Sequence, residues 1–288
     1  MDIAKEQNNS FKRNNELLKI VEEIVRLVNA KATSEYADIL LYYEEYCKQN
    51  DGEDFLSLGQ VPARKDKVRE LLVKSSSLSN PEHKKLVQGL LTRKKTPSLD
   101  QYLRASVIVL VAETTNTRFQ EIIERSDGEV EYVANKFNSV YRSKGKKVPK
   151  KDLTVTDKPL SLQDDRDIKQ KLLDNESGMM NVLNFTMRKS LEQRHKKCQN
   201  IRRAGQVFQK NLVTNLRTLH NMAFNLGQRN AMIRAGIKKY QIVAILDERT
   251  TDFCRGMNGK IYKVSEAELH VTIPPFHYRC RTTIVAVV

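Results

Sequence analysis

Apolar residues recur at helical spacing through most of the chain. Leu17, Val21, Ile24, Val25 and Val28, then Ile39, Leu40, Tyr43 and Cys47, advance largely by threes and fours. This predicts helix over 11–48, with Ser34 as a cap between the two runs. Asp51-Gly52 marks 49–62 as a loop. The pattern returns at 63–76 and at 82–93, the second with Pro81 at its first turn, and Thr96-Pro97-Ser98 breaks it again. Within 99–142 the apolar run at 107–112 fits either a buried strand or a buried helix. Leu103, Ile122 and Ile123 continue the 3.6-residue period around it without Gly or Pro, so helix is expected.

From Ser161 to about Gly236 the sequence reads as nearly continuous helix, with Gly178, Gly205 and Gly227 as weak points. Met179, Met180, Met187, Met222 and Met232 fall where core filling is expected. Beyond Gly236 the period shortens. Residues 240–246, 260–264 and 282–288 are strand candidates, the last β-branched almost throughout. The expected fold is mainly α: a helical N-terminal region and long helices followed by a small C-terminal α+β module. The expected division is a helical domain over 1–141, a basic linker over 142–160 and a module over 161–288. Its helices fill 161–236 and its α+β part 237–288.

The 288 residues include only 11 Gly and 7 Pro, which suits long helices, and a 40% apolar share, which suits a real core. The net charge is +15, from 50 Lys+Arg against 35 Asp+Glu. That balance favours polyanions, nucleic acid first and anionic membrane second, over a merely solvated basic surface. Two segments concentrate it: Arg142, Lys144, Lys146, Lys147, Lys150 and Lys151 in the linker, and Arg194, Lys196, Lys197, Arg202 and Arg203 in the helical stretch. Each is read as a DNA-binding segment or, blandly, as an exposed linker and a solvated helix face. The N-terminus lacks an apolar signal segment and no run approaches the ~18 apolar residues of a membrane span, so synthesis in the cytoplasm is expected.

The four cysteines, Cys47, Cys198, Cys254 and Cys280, form no C-x-x-C pair, which argues against a disulfide framework. Cys254, His270, His277 and Cys280 crowd into one short stretch and are candidate zinc ligands; otherwise they are reduced thiols and ordinary histidines. Asp247, Arg249 and Thr250 follow the first strand candidate, where a polar turn is either an acid–base group beside His277 or a structural brace.

Together these residues resemble a known family. Asp247-x-Arg249-Thr250-x-x-x-Cys254, Asn258-Gly259-Lys260-x-Tyr262 and Pro274-Pro275-x-His277-x-x-Cys280-Arg281 resemble, in that order, the C-terminal motif of the Mu F-like phage head-morphogenesis family. Upstream, Arg217-Thr218-x-x-Asn221-x-Ala223-x-Asn225-Leu226-Gly227 is similar to that family's Arg-Thr helix. The resemblance covers roughly 165–288. It marks Arg217, Thr218, Asn225, Asp247, Arg249, Thr250, Gly259, Pro275, His277, Cys280 and Arg281 as the motif core. The chain departs from the pattern where Leu219 replaces an acid, where Thr282 replaces the family's final Cys, and where Thr251 and Asp252 fill a stretch that often carries a Cys. A metal would then need Cys254, His277 and Cys280 with either His270 or Asp247.

The resemblance implies a minor head protein, present in few copies in the procapsid near the portal, touching packaged DNA and leaving with it at ejection. The partners it implies are the portal protein, capsid or scaffold proteins and double-stranded DNA, with the virion head interior as location. No catalysis is expected. Two alternatives stay open: a hydrolase or nuclease built on Arg217, Asp247, Arg249 and His277, and a purely structural portal adaptor.

Overall fold

A computed structural model of the chain describes residues 15–50, 56–141, 153–155, 159–161, 164–193 and 199–287. The helices are α1 (Asn15–Asn50), α2 (Lys65–Ser76), α3 (Pro81–Thr92), α4 (Leu99–Tyr141), α5 (Ile168–Gln193), α6 (Gln199–Arg234) and the short α7 (Asp252–Met257). The strands are β1 (Pro159–Ser161), β2 (Asp164–Asp167), β3 (Lys239–Val243), β4 (Ile261–Lys263) and β5 (Thr283–Val287). The chain is mainly helical with a small C-terminal sheet. It forms two compact units. One comprises Val21–Phe119 and Leu173–Lys210; the other comprises Met1–Ile20, Gln120–Leu172 and Asn211–Val288.

In the first unit α1 buries Ile24, Val28, Ala32, Tyr36, Ile39, Tyr43 and Cys47. Steps of four and three put these on one face. Antiparallel to it, α4 meets α1 through Arg118–Glu23 at 2.8 Å, Lys31 Nζ to Thr114 Oγ1 at 3.2 Å, and the Tyr102 hydroxyl donating to Glu35 at 2.9 Å. The 107–112 run is helical inside α4. Ser34 caps nothing, because α1 runs through it unbroken: the apolar face continues across it, and a serine on the polar side costs a helix little. Asn80 caps α3 by accepting from Glu82 N, with Pro81 at the first helical position.

A buried polar group joins α3, α4 and α5 in this unit. Glu176 is 4% exposed, hydrogen-bonded to Thr115, and 3.9 Å from His83 Nε2. Burial raises the Glu176 pKa above its ordinary value; the Thr115 hydrogen bond and His83 pull the other way. A carboxyl with a raised folded-state pKa gives stability that is complete below its unfolded pKa and declines as pH rises through the folded one. Glu176→Gln keeps the shape and drops the charge. Urea melts should therefore show the variant gaining on wild type as pH rises above the ordinary carboxyl range. A constant gap over that rise would mean that Glu176 does not titrate on unfolding.

In the second unit one core holds the end of α4, the end of α6 and the sheet. It includes Val133, Phe137, Phe224, Met232, Ile237, Tyr240, Ile242, Met257, Phe276 and Ile284. The sheet order is β4-β3-β5, all antiparallel, with Tyr240 opposite Tyr262 and Ala286, and Ile242 opposite Ile284. Helix α6 ends at Arg234, and Gly236, at a φ of 70°, lets Ile237 N reach Met232 O while Gly236 N reaches Ile233 O. That turn feeds β3 directly. The backbone N–H groups of Ile284 and Ala286 on β5 go to side chains: the first to Asn225 Oδ1 at 3.0 Å, the second to the Tyr141 phenol. Burial pushes that phenol up to about 12.

Two predicted boundaries shift. The strand expected over 240–246 ends at Val243, because Ala244 N is taken by Asn258 Oδ1 and Ile245 O by the Thr250 hydroxyl. Side chains have replaced the ladder there. The helix expected from Ser161 starts at Ile168, preceded by the β1–β2 hairpin; Asp167 accepts from Gln170 N and caps it. All five predicted core methionines are buried. The linker residues 142–152 lie outside the described residues.

Candidate functional site in the C-terminal module

The site begins on α6, where Asn221, Asn225 and Gln228 line one buried face at steps of four and three. Asn221 Nδ2 donates to Thr282 O at 3.0 Å, and Gln228 Nε2 to Thr283 Oγ1 at 2.9 Å. Asn225, fully buried, does the most. Its Nδ2 donates to Asn221 Oδ1 at 2.8 Å, and its Oδ1 accepts from Ile284 N and Thr283 Oγ1 at 3.0 Å each. Three carboxamides thus hold the start of β5 against the helix. One turn earlier, Thr218 Oγ1 accepts from Arg279 N at 2.9 Å, and Arg279 Nε donates to Thr214 Oγ1 at 3.0 Å.

The polar turn after β3 is a brace. Both Asp247 oxygens accept from the Arg281 guanidinium, Nη1 to Oδ2 at 2.6 Å. Asp247 Oδ1 also accepts from Arg249 N at 2.9 Å and Thr250 Oγ1 at 3.1 Å. The Arg281 bonds, then those of the turn, hold the carboxyl well below the usual carboxylate range. Gly259, at φ 82°, turns the chain so that its N–H reaches Ile242 O at 2.8 Å. Pro275 follows a cis bond, and its carbonyl accepts from His270 Nδ1.

Three side chains meet where α7 faces the 274–281 loop. Cys254 Sγ lies 3.1 Å from His277 Nε2 and 3.8 Å from Cys280 Sγ, and the three ligand atoms all fall within 4.8 Å of one another. Thr251 caps α7 and places Cys254 in its first turn. His277 Nδ1 is 2.9 Å from Tyr278 O. That assigns the proton to Nδ1 and aims the Nε2 lone pair at the sulfurs, the arrangement of a metal-ligating histidine. The hydrogen bond from Cys254 lowers the Cys280 pKa and, with burial, raises that of Cys254. Two thiolates each ~2.3 Å from a tetrahedral zinc are themselves ~3.8 Å apart, so the donor set fits zinc. Cys254, His277 and Cys280 would hold the ion, and Thr282 lies against both sulfurs. Zinc there would cross-link α7 to the loop. Of the sequence-predicted ligands, His270 is not brought to this group; it is buried at φ 68° under Pro275.

A zinc titration of the purified chain checks this. At a hundredfold excess over the dissociation constant the ion should add about 2.7 kcal/mol to stability. Cobalt in its place should show thiolate-to-metal absorption that Cys280→Ser removes. An unchanged melting temperature together with no cobalt spectrum would exclude the metal.

The motif pattern points to Asn225 but not to what Gln228, Thr282 and Thr283 contribute. The carboxamide spacing on α6 was the available signal. Arg217 and Arg249 are exposed. So are Arg202 and Arg203 on α6, whereas Arg142, Lys144, Lys146, Lys147, Lys150, Lys151, Arg194, Lys196 and Lys197 lie outside the described residues.

Residues 186–285 match the family described as Phage Mu protein F like protein. No curated protein and no solved structure matches the chain. The matched span contains the carboxamide face of α6, the Asp247–Arg281 brace and the Cys254–His277–Cys280 group. Over these residues, about a third of its length, the chain is similar to the Phage Mu protein F like family.

Proposed function

We propose that the chain is a minor head protein of a tailed bacteriophage, incorporated in few copies in the procapsid and capsid near the portal. On this reading it binds packaged double-stranded DNA without sequence preference and aids head assembly and DNA ejection. It is made in the host cytoplasm and carried inside the virion head, with the portal protein and capsid or scaffold proteins as partners. The observation that carries the reading is the Mu F-like match over 186–285. The net charge of +15 supports the DNA part separately, since phosphate neutralisation needs only Lys and Arg. Among the described residues no helix is long and apolar enough to cross a membrane.

The module acts here as architecture, not as an enzyme. Asp247 and Arg281 occupy each other, and the Cys254 sulfur beside His277 is buried. Plasmid DNA incubated with the chain and divalent metal should stay intact; cleavage lost in His277→Ala would establish a nuclease instead.

Two experiments test the proposal. Affinity for two duplexes of unrelated sequence should be equal and should fall steeply as salt rises, because each neutralised phosphate releases counterions. Affinity that stays flat with salt would end the DNA part. Purified DNA-filled particles should contain the chain at a fixed low ratio to the major capsid protein, and its absence from them would end the head assignment.

A further inference from the structure

The motif residues divide by what they do. Thr218, Asn225, Asp247, Thr250, His277 and Arg281 each tie one part of the module to another. Arg217 and Arg249 do not: among the described residues their guanidinium groups are exposed and bond to nothing.

Arg217 has company. It lies three residues after Thr214 on α6, so the two side chains are neighbours on the helix surface. Thr214 Oγ1 accepts from Arg279 Nε at 3.0 Å, and Thr218, the residue after Arg217, accepts from Arg279 N at 2.9 Å. Arg279 is thereby laid along the stretch of α6 from which Arg217 projects. Arg217 and Arg279 thus share one stretch of the α6 surface. The hydrogen-bond partners of Arg279 are neutral hydroxyls, and among the described residues no carboxylate pairs with Arg217 or Arg279. Arg249 differs, because Glu248 and Asp252 are exposed close to it in the chain.

We infer that Arg217 and Arg279 form a docking surface for the phosphate backbone of double-stranded DNA. The inference rests on the reading of the chain as a DNA-binding head protein and assigns that binding to particular residues of the Mu F-like module. Charge complementarity selects the occupant: guanidinium forks match phosphate oxygens two by two. The Arg279 guanidinium is already held by Thr214 and its backbone by Thr218, so it loses little freedom on binding. The surface offers charge and donors to a backbone, and bonds to a backbone carry no sequence information.

The test uses the full chain and a 30-base-pair duplex, with affinity measured across a salt series for wild type, Arg217→Gln, Arg279→Gln and the double variant. Each phosphate left without its cation should make the log–log salt slope shallower by ~0.9. The double variant should lose about 2 units of slope and at least about tenfold in affinity at moderate salt. Arg217 has no partner among the described residues, so Arg217→Gln should melt as wild type does, and its slope change alone carries the claim if Arg279→Gln is destabilised. A wild-type chain that binds steeply while the Arg217→Gln slope stays unchanged would overturn this surface and leave DNA binding standing. A wild-type chain that binds no DNA would overturn both.

Discussion

Asn225→Ala should unfold the C-terminal module at a urea concentration well below that of wild type, a loss of about 4 kcal/mol. The side chain is fully buried and its two ends serve different segments. The amide nitrogen reaches Asn221 and, at 3.3 Å, Thr282 O; the oxygen receives Ile284 N and the Thr283 hydroxyl. Truncation leaves several of these groups buried with no partner, at about 1–3 kcal/mol each, and adds a cavity between α6 and β5. Asn221→Ala is the comparison. It removes a bond to Thr282 O, which Asn225 still reaches, and the acceptor Oδ1 of Asn225 Nδ2, which keeps Asn221 O, so its cost should be about 1–2 kcal/mol. Hydrogen exchange at Ile284 should accelerate strongly in the Asn225 variant and little in the Asn221 variant. A loss under about 1 kcal/mol for Asn225→Ala would mean that water replaces the side chain and that the carboxamide face is not what holds β5.

The second large effect is expected at Gly227. A Cβ there would lie 2.6 Å from Val133 Cβ and 2.8 Å from Val130 O. The valine side chain can yield, but the carbonyl is backbone of α4, so the two helices must move apart. Gly227→Ala gains about 1 kcal/mol in helix propensity against about 3 kcal/mol of overpacking, a net loss of about 2 kcal/mol. Gly227→Val adds more atoms to the same close approach and should lose about 4 kcal/mol. Val133→Ala in the Gly227→Ala background should recover only part of the loss, since Val130 O remains. Complete recovery would place the whole clash on the side chain and leave no role for the backbone approach.

The helices were legible because burial and period agree. Along α1 every fourth or third residue is both apolar and inside, and the 107–112 run kept the period of its flanks. The motif order at the C-terminus was legible too, since its residues are close in sequence. Three things were not. The end of β3 depends on Asn258 and Thr250, whose side chains compete for the ladder's backbone groups from 14 and five residues away. The ligand set depends on which way the 268–280 loop folds, and spacing does not separate His270, turned under Pro275, from His277, turned toward Cys254. The motif marked Asn225 on α6 but not its partners on β5, because nothing local in a helix says that a strand will lie on its polar side.

The two side chains that take the outer N–H groups of β5 also decide how copies of this chain can meet. A sheet with two open edges can add strands without limit, and that is how fibres grow. Here Asn225 and Tyr141 close one edge, and the other is β4, three residues long with lysine at 260 and 263. Both edges of this sheet are therefore blunted against strand addition from another copy, β5 by side chains on its N–H groups and β4 by its length and charge.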